Sequence, residues 1–173
     1  MTMDFFDQSD IESSIRRTDE LLSCGIFQPA NSRNVLFRAA FIELLIGLRD
    51  LMFKTEKFAS RITFEDDVRP TEQVRDVSHL IKFVRDALCH PDSDNHYIEV
   101  GNMKATFNVA FGRANLLKIG DFEQSSEYED DICFFFGSQG IYLKRHVIRA
   151  FDEAKIKLLP LLRAAEAEQR ARR

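Results

Sequence analysis

The sequence has few of the features that would assign it to a membrane, an oxidising compartment or a metal cluster. Its three cysteines, Cys24, Cys89 and Cys133, are far apart and odd in number, unlike zinc sites or secreted disulfide frameworks. No basic segment followed by an apolar stretch opens the chain, and the most apolar stretch, 35–53, contains four charged residues, which a membrane-spanning helix would bury in lipid. We therefore expect reduced cysteines and a cytoplasmic protein.

An excess of positive charge is also missing. The 173 residues include 24 Lys and Arg against 28 Asp and Glu, for a formal net charge of −4 at pH 7. Proteins that coat nucleic acid neutralise many phosphates with Lys and Arg, so any contact with nucleic acid must be local. The length suits one domain (1–173), and 45% hydrophobic residues suffice for a single core without disulfides or a structural metal.

Four segments have the apolar spacing of amphipathic helices. They lie at roughly 9–24, 32–57, 71–90 and 144–165. The third segment has the most regular period, with apolar residues at alternating steps of three and four. It must end by His90, because Pro91 disfavours helical geometry in the residue before it.

The segment 96–143 has a different pattern. Short aromatic and β-branched stretches, separated by Gly-containing turns, lie at 97–100, 104–111, 132–136 and 141–143. We predict two hairpins in a small antiparallel sheet. The sequence thus predicts a mainly α protein, a four-helix bundle with a small antiparallel β insertion between helices 3 and 4.

Polar residues at the end of the third predicted helix are the best candidates for chemistry. A His beside a terminating Pro can leave helical register, so Arg85 and His90 can approach one ligand. Asp86 lies one turn before His90 and can accept a hydrogen bond from its ring, which would fix the tautomer. An imidazole can transfer a proton and a guanidinium can hold a phosphate. We therefore predict that Arg85, His90 and Asp86 are catalytic.

The run from Arg85 to His90 resembles the R-polar-x-x-x-H motif of HEPN-superfamily ribonucleases, with Asp86 at the polar position. The resemblance implies a four-helix HEPN-like bundle and a homodimer in which two copies of the motif share one cleft. It further implies metal-independent cleavage of RNA through the 2′-hydroxyl, without a cofactor. The setting it implies is a bacterial toxin or antiviral defence system, with an antitoxin or regulatory protein as a possible partner.

The resemblance has limits that the sequence itself shows. HEPN toxins that are controlled by a partner nucleotidyltransferase often have a Tyr two residues after the motif His, whereas this chain has Asp92 there. Control by that chemistry is therefore not expected. The β insertion, 96–143, lies outside the common core of the family.

Two other functions remain open at the level of sequence. The same fold could form a non-catalytic dimer that binds a protein or a nucleotide through Arg85 and His90. Alternatively, His90, Asp92, Asp94 and His96 alternate in a loop, as metal ligands sometimes do, and would then serve a metal-dependent hydrolase.

Three further groups have a structural interpretation. The run 134–136 is three Phe residues, which could stack on bases but more often belong to a core, with Phe135 on the strand face opposite the other two. We interpret the acidic run 127–131 as a solvated loop. The basic run 144–146 is interpreted as a surface group that could touch phosphate.

Overall fold

The computed structural model describes residues 3–98 and 103–171 and consists of two compact units. The first, here called the helical unit, comprises Met1–Ile62 and Ala150–Arg173. The second, here called the mixed unit, comprises Thr63–Arg149. Among the described residues, no helix is both long enough and apolar enough to cross a membrane.

The helical unit contains three long helices. They are α1 (Phe5–Ser23), α2 (Val35–Phe58) and α4 (Arg149–Ala171, in this unit from Ala150). Asp4 caps α1 by accepting the Asp7 N–H at 2.8 Å, and Asn34 caps α2 by accepting the Leu36 N–H at 2.9 Å. These side chains satisfy backbone donors that would otherwise lack partners. The sequence predicted both helices, with starts that differ by a few residues.

Helices α1 and α2 are joined by a nearly buried ion pair. Lys54 Nζ donates to Asp7 Oδ1 at 2.9 Å, and Lys57 Nζ contacts the same oxygen at 3.0 Å. The hydrogen bond from Lys54 is the main reason that the pKa of Asp7 lies below its ordinary value. Because an unpaired buried charge is costly, this contact fixes the start of α1 against the end of α2.

Among its described residues, the mixed unit contains seven short strands. They are β1 (Tyr97–Ile98), β2 (Met103–Lys104), β3 (Asn108–Phe111), β4 (Ala114–Ile119), β5 (Phe122–Ser126), β6 (Ile132–Phe136) and β7 (Gln139–Tyr142). All pairings are antiparallel, in a three-stranded sheet of order β3-β6-β7 and two two-stranded ribbons, β1-β2 and β4-β5. Ala110, Cys133 and Phe135 form one apolar cluster on the sheet.

The predicted four-helix bundle is wrong. Helix α3 (Val77–Cys89) lies in the mixed unit, where it contacts the 3₁₀ turn Asp94–His96 and strand β7. A π-helical segment, Leu143–Ile148, precedes α4 and also belongs to this unit. The apolar period of a helix shows that one face is buried but does not show which element covers it. That is why the sequence assigned α3 to the wrong partners.

The β region is also larger than the two hairpins that the sequence predicted. The sequence missed the ribbon β4-β5 because its residues include few aromatic or β-branched side chains and because burial along β4 does not alternate strictly. The predicted strand 97–100 is observed as Tyr97–Ile98, and its last two residues lie outside the described part of the chain.

Candidate active site

Helix α3 begins and ends at residues that its sequence dictates. Asp76 caps it by accepting the His79 N–H at 2.8 Å, so the helix starts at Val77 and not near residue 71 as predicted. It ends at Cys89, and His90 has an extended backbone with φ −124° and ψ 98°. The prediction that His90 leaves helical register before Pro91 is therefore confirmed.

The loop after α3 is anchored to the helix through the backbone of His90. The Ser93 N–H donates to the His90 carbonyl at 2.9 Å, and the ring Nε2 of His96 lies 3.3 Å from the same oxygen. His96 is buried, whereas His90 is exposed. The Asn95 side chain donates to the Phe83 carbonyl at 3.1 Å. These contacts fix the backbone of His90 and leave its imidazole at the surface.

Arg85 and Asp86 form a direct ion pair on the last turn of α3. Arg85 Nη1 donates to Asp86 Oδ1 at 2.8 Å, and both side chains are about one third exposed. We predicted from the sequence that Asp86 orients His90. Among the described residues, no hydrogen bond joins the His90 ring to Asp86; their link is the His90 N–H bonded to the Asp86 carbonyl at 3.1 Å. The carboxylate of Asp86 therefore orients the guanidinium of Arg85.

A groove of about 460 Å³ borders the loop that follows the motif. It is lined by side chains of α3, of the segment 70–73, of the loop and of the start of β7, among them Phe83, Asn95, Tyr97 and Gln139. The described lining residues include no Lys or Arg, and Glu72 and Asp94 contribute carboxylates. Aromatic rings together with amide and hydroxyl groups suit an uncharged planar ligand better than they suit a phosphate.

The alternative metal site of the loop has little geometric support. Asp92 and Asp94 are exposed, whereas His96 is buried with its Nε2 on the His90 carbonyl. Within the described ranges 3–98 and 103–171, no group of three or more His, Cys, Asp or Glu side chains is placed to hold a metal ion. The alternating pattern in the sequence does not bring these side chains to one point.

The acidic run and the basic run of the sequence meet in the structure. Arg145 donates to Asp131 Oδ2 at 3.0 Å and to Asp130 Oδ1 at 2.9 Å. Asp131 is 3% exposed and also accepts the backbone N–H groups of Lys144 and Arg145. The interpretation of a solvated loop is therefore wrong for Asp131, which caps the start of the π-helical segment. The guanidinium of Arg145 is occupied within the protein.

His146, in the same basic run, is a fully buried core residue. Its Nδ1 accepts the Tyr142 N–H at 3.0 Å, and its Nε2 lies 2.9 Å from the Asp66 carbonyl. Burial lowers its pKa below the ordinary value. Both ring nitrogens have partners in the neutral form, so the residue supports structure. The sequence offered no signal for this, because neighbouring Lys and Arg suggested a surface.

The three consecutive Phe residues are also part of the core. All of Phe134, Phe135 and Phe136 are buried. Phe134 and Phe136 contact Phe107, whereas Phe135 packs with Cys133 on the other face of the strand. The predicted alternation of faces is confirmed, and no base-stacking platform is present at these positions.

No family model matches the chain, and no curated protein or solved structure has significant similarity to it. The resemblance to HEPN ribonucleases therefore depends on the residues from Arg85 to His90 alone.

Proposed function

We propose that the exposed end of α3 is the active site of a metal-independent endoribonuclease. The observation that carries this proposal is the arrangement of its polar groups. Arg85 and Asp86 form an ion pair on the last turn of α3, and the exposed His90 follows the helix with its backbone held by hydrogen bonds. We also propose the cytoplasm as its compartment and a toxin or antiviral defence system as its setting.

The chemistry needs one proton to be removed and another to be supplied. His90 would take the proton from a ribose 2′-hydroxyl, whose oxygen forms a bond to the phosphorus as the bond to the 5′-oxygen breaks. The departing 5′-oxygen must receive a proton, and the products are a 2′,3′-cyclic phosphate and a 5′-hydroxyl. No metal enters this scheme.

Arg85 would hold the scissile phosphate. A guanidinium has five N–H donors; in Arg85 one Nη1 donor bonds Asp86 and the Nε–H is buried without a partner among the described residues, which leaves the remaining Nη donors for a phosphate. The Asp86 carboxylate fixes the plane of the guanidinium, so that other donors can meet the non-bridging oxygens as their charge grows. Asp86 is thus assigned to the positioning of Arg85.

Two copies of the chain would complete the site. One imidazole cannot accept and donate a proton in the same concerted step, and each chain supplies one exposed His at the motif. A homodimer whose α3 ends share one cleft supplies one His90 as base and the other as acid. The groove beside Tyr97 and Asn95 would then receive a neighbouring unpaired base.

The proposal is tested by incubating the purified protein with single-stranded RNA oligonucleotides and with DNA of the same sequences. We expect cleavage of RNA only, because DNA has no 2′-hydroxyl. Cleavage of both polymers would overturn the mechanism. Absence of cleavage across varied RNAs, with binding retained, would assign the same residues to a non-catalytic binding module.

A further inference from the structure

Helix α2 has an exposed apolar face in addition to the one it buries. Val35 is 87% exposed, Phe53 is 51% exposed and Ile46 is 41% exposed. Ala39 is also exposed, and Ile42 is half-buried. Exposed apolar side chains that recur along one face of a helix can form an interaction site.

The exposed residues follow the spacing of a coiled-coil seam. Positions 35, 39, 42, 46, 49 and 53 alternate in steps of four and three over about 27 Å of helix. We call them the α2 seam; five are apolar and the sixth is Arg49. The opposite side of α2 carries the buried Phe41, Leu44 and Leu48. A heptad seam is the pattern of a helix that packs along another helix, and not of a helix that lines a small-molecule pocket.

We propose that the α2 seam binds the same seam of a second copy of this chain, with the two helices antiparallel. Antiparallel pairing places Phe53 opposite Val35 and Ile46 opposite Ile42, and it places Arg49 opposite the small Ala39. Parallel pairing would place Arg49 opposite Arg49, where two like charges repel. The sequence of the seam is therefore self-complementary in one orientation only.

The exposed area is at the low end of what two associating chains bury. The exposed fractions of Val35, Ile46, Phe53 and the flanking Leu36 correspond to about 400 Å² of surface on each copy. Two copies would cover about 800 Å² through these side chains, which is below the ~1,200 Å² of standard stable complexes and in the range of weak, transient ones.

The exposed surface of α3 is mainly polar, unlike the α2 seam. Its residues outside the buried stripe include His79, Lys82 and Arg85, which offer no apolar seam. The inference rests on the exposed surface of α2 and not on the residues of the proposed active site. Seam variants that stay dimeric would refute the seam and leave the proposed active site untouched, whereas a seam dimer without RNA cleavage would refute the proposed active site alone.

The test is the oligomeric state of the full chain by light scattering at micromolar concentration. We expect a dimer for the wild type and a dissociation constant raised about thirtyfold or more in Phe53→Asp and in Ile46→Lys. Ile156→Asp is the matched control, because Ile156 is 73% exposed on α4 and lies outside the seam. Circular dichroism verifies that each variant is folded. A monomeric wild type, or folded seam variants that dimerise like the Ile156 control, would overturn the inference.

Disulfide cross-linking tests the orientation. In a Cys24→Ser, Cys89→Ser background, Val35→Cys and Phe53→Cys together should give a covalent dimer on oxidation, whereas either substitution alone should not. The two positions are about 27 Å apart on one helix, so they cannot join within a chain. Covalent dimers from the single variants would show parallel pairing and refute the antiparallel seam.

Discussion

Helices α2 and α3 both have a regular apolar period, but they differ in what they leave exposed. Helix α3 buries its apolar stripe, which includes Leu80 and Val84, and exposes polar side chains. Helix α2 buries one apolar face and exposes another that includes Phe53. The difference teaches that periodicity alone does not define the role of a helix. Exposed polar groups at a helix end can act on a ligand, whereas an exposed apolar face needs a partner surface.

Removal of the motif side chains is the strongest test of the role assigned to α3. We expect His90→Ala to lower kcat/KM for RNA about 10²–10⁴-fold and Arg85→Ala to lower it about 10²–10³-fold. Dimerisation should be unchanged, because neither residue lies on α2. The measurement is the rate of cleavage of a labelled RNA together with light scattering.

His79→Ala is the matched control for this experiment. His79 lies on the same helix, and its Nδ1 is 3.2 Å from Asp76, so its loss should change cleavage little. Equal loss of activity in His79→Ala and His90→Ala, at equal stability, would show that the wrong histidine has been assigned.

The proposed cleft between the α3 ends of two copies leads to a second prediction. Cys89 is exposed and precedes His90, so a short bis-maleimide should convert most of a Cys24→Ser variant into covalent dimers. Cys133 is buried and should not react in the folded protein. If the cross-link forms only in a Cys89→Ser protein that retains Cys24, the ends of α3 do not meet in the dimer.

Substitution of Asp86 separates two possible roles of that residue. If its carboxylate positions Arg85, as the 2.8 Å contact indicates, Asp86→Asn should raise KM about tenfold and leave the pH profile of kcat in place. If it instead orients His90, the substitution should shift the pH profile. Initial rates across pH 5–9 distinguish the two results.

A smaller expected effect is the pH dependence of stability that the buried His146 produces. Burial lowers the pKa of His146 in the folded chain, so the unfolded chain takes up the proton first as pH falls. The contribution of the neutral ring is fully present above pH ~6.5 and is lost below it, by up to about 1.4 kcal/mol of unfolding free energy per pH unit. Urea unfolding between pH 7.5 and 5 measures this slope. His146→Gln should flatten it.

The sequence was informative where structure is local. The end of α3 follows from Pro91, and the presence of four helical segments follows from apolar spacing, because both signals depend on neighbouring residues. The alternation of Phe134, Phe135 and Phe136 between two faces follows from strand geometry. These features were predicted and are observed.

Features that depend on distant residues could not be predicted. The assignment of α3 to the mixed unit depends on its contacts with β7, about 50 residues later. The burial of Asp131 depends on the N–H groups at the start of the π-helical segment, and that of His146 on the carbonyl of Asp66. The pairing of Asp86 with Arg85 depends on side-chain rotamers, which the motif spacing leaves open.

The chemistry of the RNA ends tests the central claim most directly. Wild-type protein is incubated with a single-stranded RNA with and without excess EDTA, and the new termini are mapped. The account predicts cleavage that is unaffected by EDTA and leaves 2′,3′-cyclic phosphates and 5′-hydroxyls, because His90 and Arg85 perform the tasks of a bound cation. Cleavage that stops with EDTA, returns with Mn²⁺ or Mg²⁺ and leaves 5′-phosphates would contradict it.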